Sequence, residues 1–183
     1  MSLITRSNVI SHRIEFEIPE GIERIAEKAF WKCNDVEVII VPASVKEIGK
    51  RAFGHCKNLF DVELPDGLTE LADGLFSYCV ELPVLVIPSS VRKIGRDAFL
   101  NCISLEEIEI PHGVSELGIW TFLNCKSLSE IRLPNTIASV DDSAFLGCDS
   151  LETIIVFNEK GEEEKKFGSV GEYLDYVKEN NVV

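Results

Sequence analysis

"AFLNCISLEEIEIP", residues Ala98 to Pro111, places one thiol, Cys102, and three carboxylates, Glu106, Glu107 and Glu109, within eight residues. Taken alone, the stretch offers a nucleophile or part of a metal-ligand set. The same letters, however, return along the chain. Cysteine stands at Cys33, Cys56, Cys79, Cys102, Cys125 and Cys148, each 23 residues after the last. Phe30, Phe53, Phe76, Phe99, Phe122 and Phe145 precede them by three residues, and Pro19, Pro42, Pro65, Pro88, Pro111 and Pro134 keep the same interval. A period held over six copies is an internal repeat, and its letters are read as architecture before chemistry.

The unit from Pro88 to Ile110 shows what each copy builds. Pro88 ends a strand and opens a turn, and other units carry Gly21, Gly67 or Gly113 two residues further on. Ile94, Ala98, Phe99 and Cys102 are spaced as the apolar stripe of a short helix, with Arg96, Asp97 and Asn101 facing away. Leu105, Ile108 and Ile110 then alternate with Glu107 and Glu109, which predicts a strand with one wet face. No unit can bury its apolar side alone. The units are therefore expected to stack into an α/β solenoid, with short parallel strands, short helices and right-handed crossovers.

"LEEIEIPHGVSELGIWTFLNC", "LFDVELPDGLTELADGLFSYC" and "LSEIRLPNTIASVDDSAFLGC" resemble the leucine-rich repeats of the BspA-like and Treponema type, whose pattern is LxxIxIPxxVxxIGxxAFxxC. The match covers about residues 10 to 157, with lapses such as Thr121 in the alanine column. The LxLxxN asparagine of commoner leucine-rich repeats is missing, so no asparagine ladder is expected. The resemblance implies surface-exposed or secreted proteins that use the strand face for adhesion or protein recognition, without enzymatic activity.

The chain is expected to form a single domain over residues 1–183. Residues 1–18 make an N-terminal half-repeat, 19–157 the six repeats, 158–168 a charged loop, and 169–183 a C-terminal capping helix. Phe16 and Ile18 occupy strand slots ahead of the first full unit, so seven strands are expected of a finished array. Ser169 and Glu172 read as a capping box, and Val170, Tyr173, Leu174 and Val177 as the stripe that closes the core.

Composition narrows the partners. The 183 residues carry 31 Asp plus Glu against 18 Lys plus Arg, a formal charge of −13. That balance opposes nucleic acid and anionic membrane surfaces. Mean hydropathy is +0.11, and no apolar run nears the roughly 18 residues of a membrane span. The start "MSLITRSNVISHRIEF" lacks a signal-peptide layout.

The cysteines fall in one column and read as small buried hydrophobes. Vertical disulfides or zinc are the competing readings, although no Cys-x-x-Cys pairing is present. His12, His55 and His112 occupy three different phases, so each reads as an exposed bystander rather than one member of a catalytic pair. No phosphate-loop glycine pattern is present and no cofactor is implied.

What remains is the outward strand face. Its two columns include Val38, Asp61, Val84, Glu107 and Glu130, and Ile40, Glu63, Val86, Glu109 and Arg132. Acidic rungs alternate with apolar ones. These ten residues are the candidate partner-binding site, suited to a protein ligand carrying basic residues, such as a host matrix or surface protein. An ordinary solvated face, an intracellular interaction scaffold, a calcium site and a glycan-processing carboxylate pair remain as alternatives. Ile119 and Trp120, where other units have charged pairs, mark either a second contact or packing against a neighbouring unit.

Overall fold

The computed structural model describes residues 9–10 and 13–180; His12 and the last three residues of the expected capping segment lie outside them. The longer strands of the repeats pair in parallel at an offset of 23 residues, in two sheets. Arg13–Glu17, Val38–Ile40 and Asp61–Glu63 form one sheet, with Val9–Ile10 added antiparallel to the first of them. Glu107–Glu109, Glu130–Pro134 and Thr153–Phe157 form a second. The register is that of the repeat: Phe16 pairs with Ile39 and Ile39 with Val62, while Ile108 pairs with Ile131 and Ile131 with Ile154. On another side of the coil, two-residue strands pair in parallel, Arg24–Ile25 with Glu47–Ile48, Glu70–Leu71 with Lys93–Ile94, and Glu116–Leu117 with Ser139–Val140.

Six of the seven expected strand positions form strands. At the other, only an isolated bridge from Val84 to Glu107 survives. Pro83 is the cause. At the equivalent position Glu37, Phe60, Glu106, Ser129 and Glu152 each donate a backbone N–H to the preceding unit; proline has none to give. The sheet divides at this unit, and Asp61–Glu63 and Val84 fall on opposite sides of the division.

The short helices of the sequence reading are absent, and consecutive turns take their place. Two residues four apart in a unit sit at left-handed φ, for example Arg51 (53°) and His55 (60°), or Asp97 (58°) and Asn101 (58°). An α-helix holds φ near −63° throughout, so it cannot pass through such residues. The amides are satisfied in alternation instead. Ala52, Gly54 and Cys56 donate three residues back, to Gly49, Arg51 and Phe53, whereas Arg51, Phe53 and His55 donate to Asp73, Leu75 and Ser77 of the next unit. Every second N–H therefore stitches one coil to another.

The core is a set of columns. Phe53, Phe76, Phe99 and Phe122 are wholly buried, and successive rings from Phe53 to Phe145 stack at 5.1 to 5.9 Å. Next to them, all six cysteines are free thiols, and all but the half-buried Cys33 are buried. Each buried thiol donates to the carbonyl of the phenylalanine 26 residues earlier, as Cys102 does to Phe76 at 3.1 Å. A serine in this column would thus find an acceptor, which the sequence alone does not reveal. Burial pushes the Cys56 and Cys102 thiols up to about 12. Thr121, fully buried in the alanine column, gives its hydroxyl to the Gly118 carbonyl at 2.8 Å.

The turn after each strand alternates between two kinds. Gly21, Gly67 and Gly113, at φ of 85°, 103° and 101°, direct their N–H groups to the hydroxyls of Ser44, Ser90 and Thr136 in the following unit. Those hydroxyls in turn donate to Ile22, Leu68 and Val114. Glycine is required where φ is positive and the N–H must reach across.

At the C-terminal end the charged stretch departs from the expected loop. Glu163–Phe167 is a strand antiparallel to Thr153–Phe157, and it closes the sheet edge with charged side chains that discourage further pairing. The helix Val170–Asn180 follows. Ser169 accepts the Glu172 N–H at 3.3 Å, while the Glu172 carboxylate accepts the N–H of Gly168, one residue before the expected cap. Tyr173 and Val177 are buried against the last unit, and Lys178 pairs with Asp142 at 2.9 Å.

Candidate functional site

The strand pleat sends Phe16, Ile39, Val62, Ile108, Ile131 and Ile154 inward, which leaves the candidate columns outside. The structure does not present all ten candidates as one surface. Val84, Val86, Glu107, Glu109, Glu130 and Arg132 line a shared groove of about 600 Å³. Val38, Ile40, Asp61 and Glu63 lie beyond the Pro83 division and do not line it. The same division sets the exposure of the apolar rungs. Val38 and Ile40, held in a continuous ladder, are half-buried, whereas Val84 is 42% and Val86 78% exposed.

Opposite the valines the groove is charged. Glu107, Glu109, Glu130 and Glu159 face Arg132 and Lys160. The Arg132 Nε donates to Glu109 Oε2 at 2.8 Å, and its guanidinium lies 5.5 Å from the centre of the Phe157 ring. Arg132 is thereby fixed between a carboxylate and an aromatic face. Phe157, Glu159, Lys160 and Gly161 form the far wall because the chain doubles back into Glu163–Phe167. His112 joins the lining from the turn after Glu107–Glu109.

Sequence reasoning missed this wall and the break. The signal for the break was Pro83, standing where neighbouring units carry residues with an N–H. Nothing in "NEKGEEEKK" marks a strand, since its charges serve an edge rather than a core. Among the described residues, no three His, Cys, Asp or Glu side chains are grouped to hold a metal ion. The two described histidines are not bystanders in open solvent. Both are half-buried, His112 in the groove and His55 between Trp31 and Tyr78. Trp120 is 45% exposed, so neighbouring units do not cover its indole.

Parallel strands in phase with a 23-residue repeat, inward columns and an outward strand face define a leucine-rich-repeat solenoid. The chain belongs to the BspA-type leucine-rich repeat family, whose region matches residues 10–118 and 69–167 with six copies. No curated protein matches it. Among solved structures it is similar to the T. pallidum leucine-rich repeat protein TpLRR, at 30% identity over 75% of this chain and 77% of that one, with a TM-score of 0.65. A leucine-rich cell surface protein from Faecalibacterium prausnitzii shares 29% identity over 87% of this chain, with a TM-score of 0.57. A leucine-rich repeat protein from Bacteroides ovatus shares 26% over 84%, with a TM-score of 0.68. The chain spans about a third (33%) of the F. prausnitzii protein and about half (52%) of the B. ovatus one.

Proposed function

We propose that this protein is a non-enzymatic recognition module that holds a basic protein ligand in the strand-face groove. The observation that carries the proposal is the pairing of two exposed valines with a carboxylate wall in one concavity. Apolar side chains supply anchoring area, and the carboxylates steer a positively charged partner. Val86, 78% exposed, has most of its surface left to bury. Glu109 is committed to Arg132, which favours a binding role for these carboxylates over an acid and nucleophile pair. The printed name of the F. prausnitzii relative, a cell surface protein, supports placing this module at a cell surface as well.

Binding to a panel of basic extracellular-matrix proteins, measured by surface plasmon resonance at two salt concentrations, tests the proposal. Association should slow as salt rises. Val84→Ser with Val86→Ser should weaken the complex at least about tenfold, and Glu107→Lys with Glu109→Lys should do the same while leaving the fold intact. Wild-type affinity in both double variants moves the site away from the groove.

A further inference from the structure

On the turn side of the solenoid, away from the groove, three rings stand in file along neighbouring units. Trp31 and His55 lie with ring centres 4.3 Å apart, and His55 and Tyr78 stack at 4.2 Å with their planes 13° apart. The column exists because His55 and Tyr78 share the left-handed turn position of their units, and because Gly54 makes room for the indole. A Cβ at Gly54 would fall 2.6 Å from Trp31 Cζ3. Lys32 holds that turn position in the unit before, and Lys57 follows His55 by two residues.

The charge of this ledge runs against that of the chain. Burial, then Lys32, Lys57 and Arg51, hold the His55 imidazole below its ordinary range, so all three cations are felt at the ring. Arg51 is partly offset by Asp97 at 3.7 Å. Lys32 and Lys57 are exposed, and neither has a carboxylate partner among the ion pairs of the described residues. A protein with a formal charge of −13 thus keeps an unbalanced positive focus on one edge.

We infer that this ledge is a binding site for an acidic polysaccharide, with Lys32, Lys57 and Arg51 meeting its carboxylate or sulfate groups and the ring edges of His55 and Tyr78 lying along it. The ring geometry selects this ligand. With Tyr78 stacked on one side and Trp31 tilted at 57° on the other, the imidazole shows solvent chiefly an edge, which carries the positive side of the ring quadrupole and the ring nitrogens. Single-stranded nucleic acid is read chiefly by stacking bases on open aromatic faces, and His55, held between two rings, offers little of one. A folded protein needs apolar anchors, and the most exposed apolar residues lie elsewhere, at Val86 on the strand face and at Leu146 and Trp120 in later units. A linear polyanion needs only cations and donors on successive coils, roughly 4.8 Å apart, and Lys32 stands on one coil with Arg51 and Lys57 on the next.

Isothermal titration of the full chain with dextran sulfate and with polygalacturonate tests the site, with neutral dextran, polyglutamate and oligo-dT alongside. At least one acidic polysaccharide should bind, at least about tenfold more weakly at 200 than at 50 mM salt. It should also bind at least about tenfold more weakly to Lys32→Gln with Lys57→Gln. Lys126→Gln, at the turn position of Lys57 three units along, should bind as wild type, and circular dichroism should show all variants folded. Tyr78→Leu, which keeps the charges but removes one ring, should also weaken binding. The inference is overturned if neither polysaccharide binds, if neutral dextran binds as tightly, if polyglutamate or oligo-dT competes equally, or if the double variant retains wild-type affinity.

Discussion

Replacing Cys102 by alanine should reverse its effect on stability between pH 8 and pH 11. The thiol is buried beside Phe99 and donates to the Phe76 carbonyl at 3.1 Å. Near neutrality, Cys102→Ala removes that weak bond and about one methylene's worth of packing, a loss of about 1 to 2 kcal/mol. Alkaline solution changes the balance. Burial raises the thiol from 9.0 to about 12, so the folded chain keeps a proton that the unfolded chain sheds. A folded pKa above the unfolded one means that the stabilisation is complete below pH 9 and is withdrawn as pH climbs toward 12. From pH 8 to 11 the withdrawal is roughly 2.5 kcal/mol for this one group. Wild type should therefore be the more stable protein at pH 8 and the less stable at pH 11. Guanidinium unfolding with a reductant present, followed by far-ultraviolet circular dichroism at both pH values, measures the difference. The other thiols are common to both proteins, and burial, the largest cause of the upward shifts at Cys79 and Cys125, is kept in the variant. An equal stability gap at pH 8 and pH 11 refutes the buried, protonated column.

Three further outcomes follow from the packing. Pro83→Glu supplies the N–H that other units send to the preceding coil and should close the sheet; hydrogen exchange should find a protected amide at position 83 and a gain of up to about 1 kcal/mol, and an unprotected amide there would show that proline is not what divides it. Gly95→Ala drives a Cβ into the backbone of Ala72 and Asp73, whereas Gly118→Ala meets only Arg96 Cγ at 3.9 Å, so thermal melting should fall by more than about 5 °C for the first and stay nearly unchanged for the second. Tyr173→Ala empties a site where the side chain is 1% exposed and should cost about 3 kcal/mol, with proteolysis then beginning at the C-terminal unit; unchanged melting would deny the helix its role as a cap.

The columns were legible because each coil imposes the same demand. Phe99 must meet Phe76 and Phe122, and Cys102 must reach the Phe76 carbonyl, so the residue type returns every 23 positions. The turns were not legible as turns. Ile94, Ala98, Phe99 and Cys102 point inward under either conformation, and the left-handed positions are filled by Lys28, Arg51, Asp97 and Trp120 as well as Gly74, a mixture with no common signal. At the site, alternation gave the outward facing of the ten candidates, since it reports which way a side chain points, although Glu15 and Ile155, the residues in step with them at either end of the array, are buried. Alternation could not report that Val84 and Val86 would be separated from Asp61 and Glu63, because that depends on one missing N–H at Pro83. Nor could it supply Phe157 and Glu159, which reach the groove through a strand whose letters are those of an exposed edge.

The hydroxyl and glycine turns give the array a parity. Ser44 completes a bond that begins at Gly21, Ser90 one from Gly67, and Thr136 one from Gly113, so coils interlock in twos although the core repeats in ones. Excising a single coil of 23 residues would preserve every Phe and Cys contact and still set two turns of the same kind against each other. Excising 46 would not. The smallest piece that can be added or removed without leaving a mismatched seam is therefore a pair, and variation in length within such an array is expected to proceed by even steps.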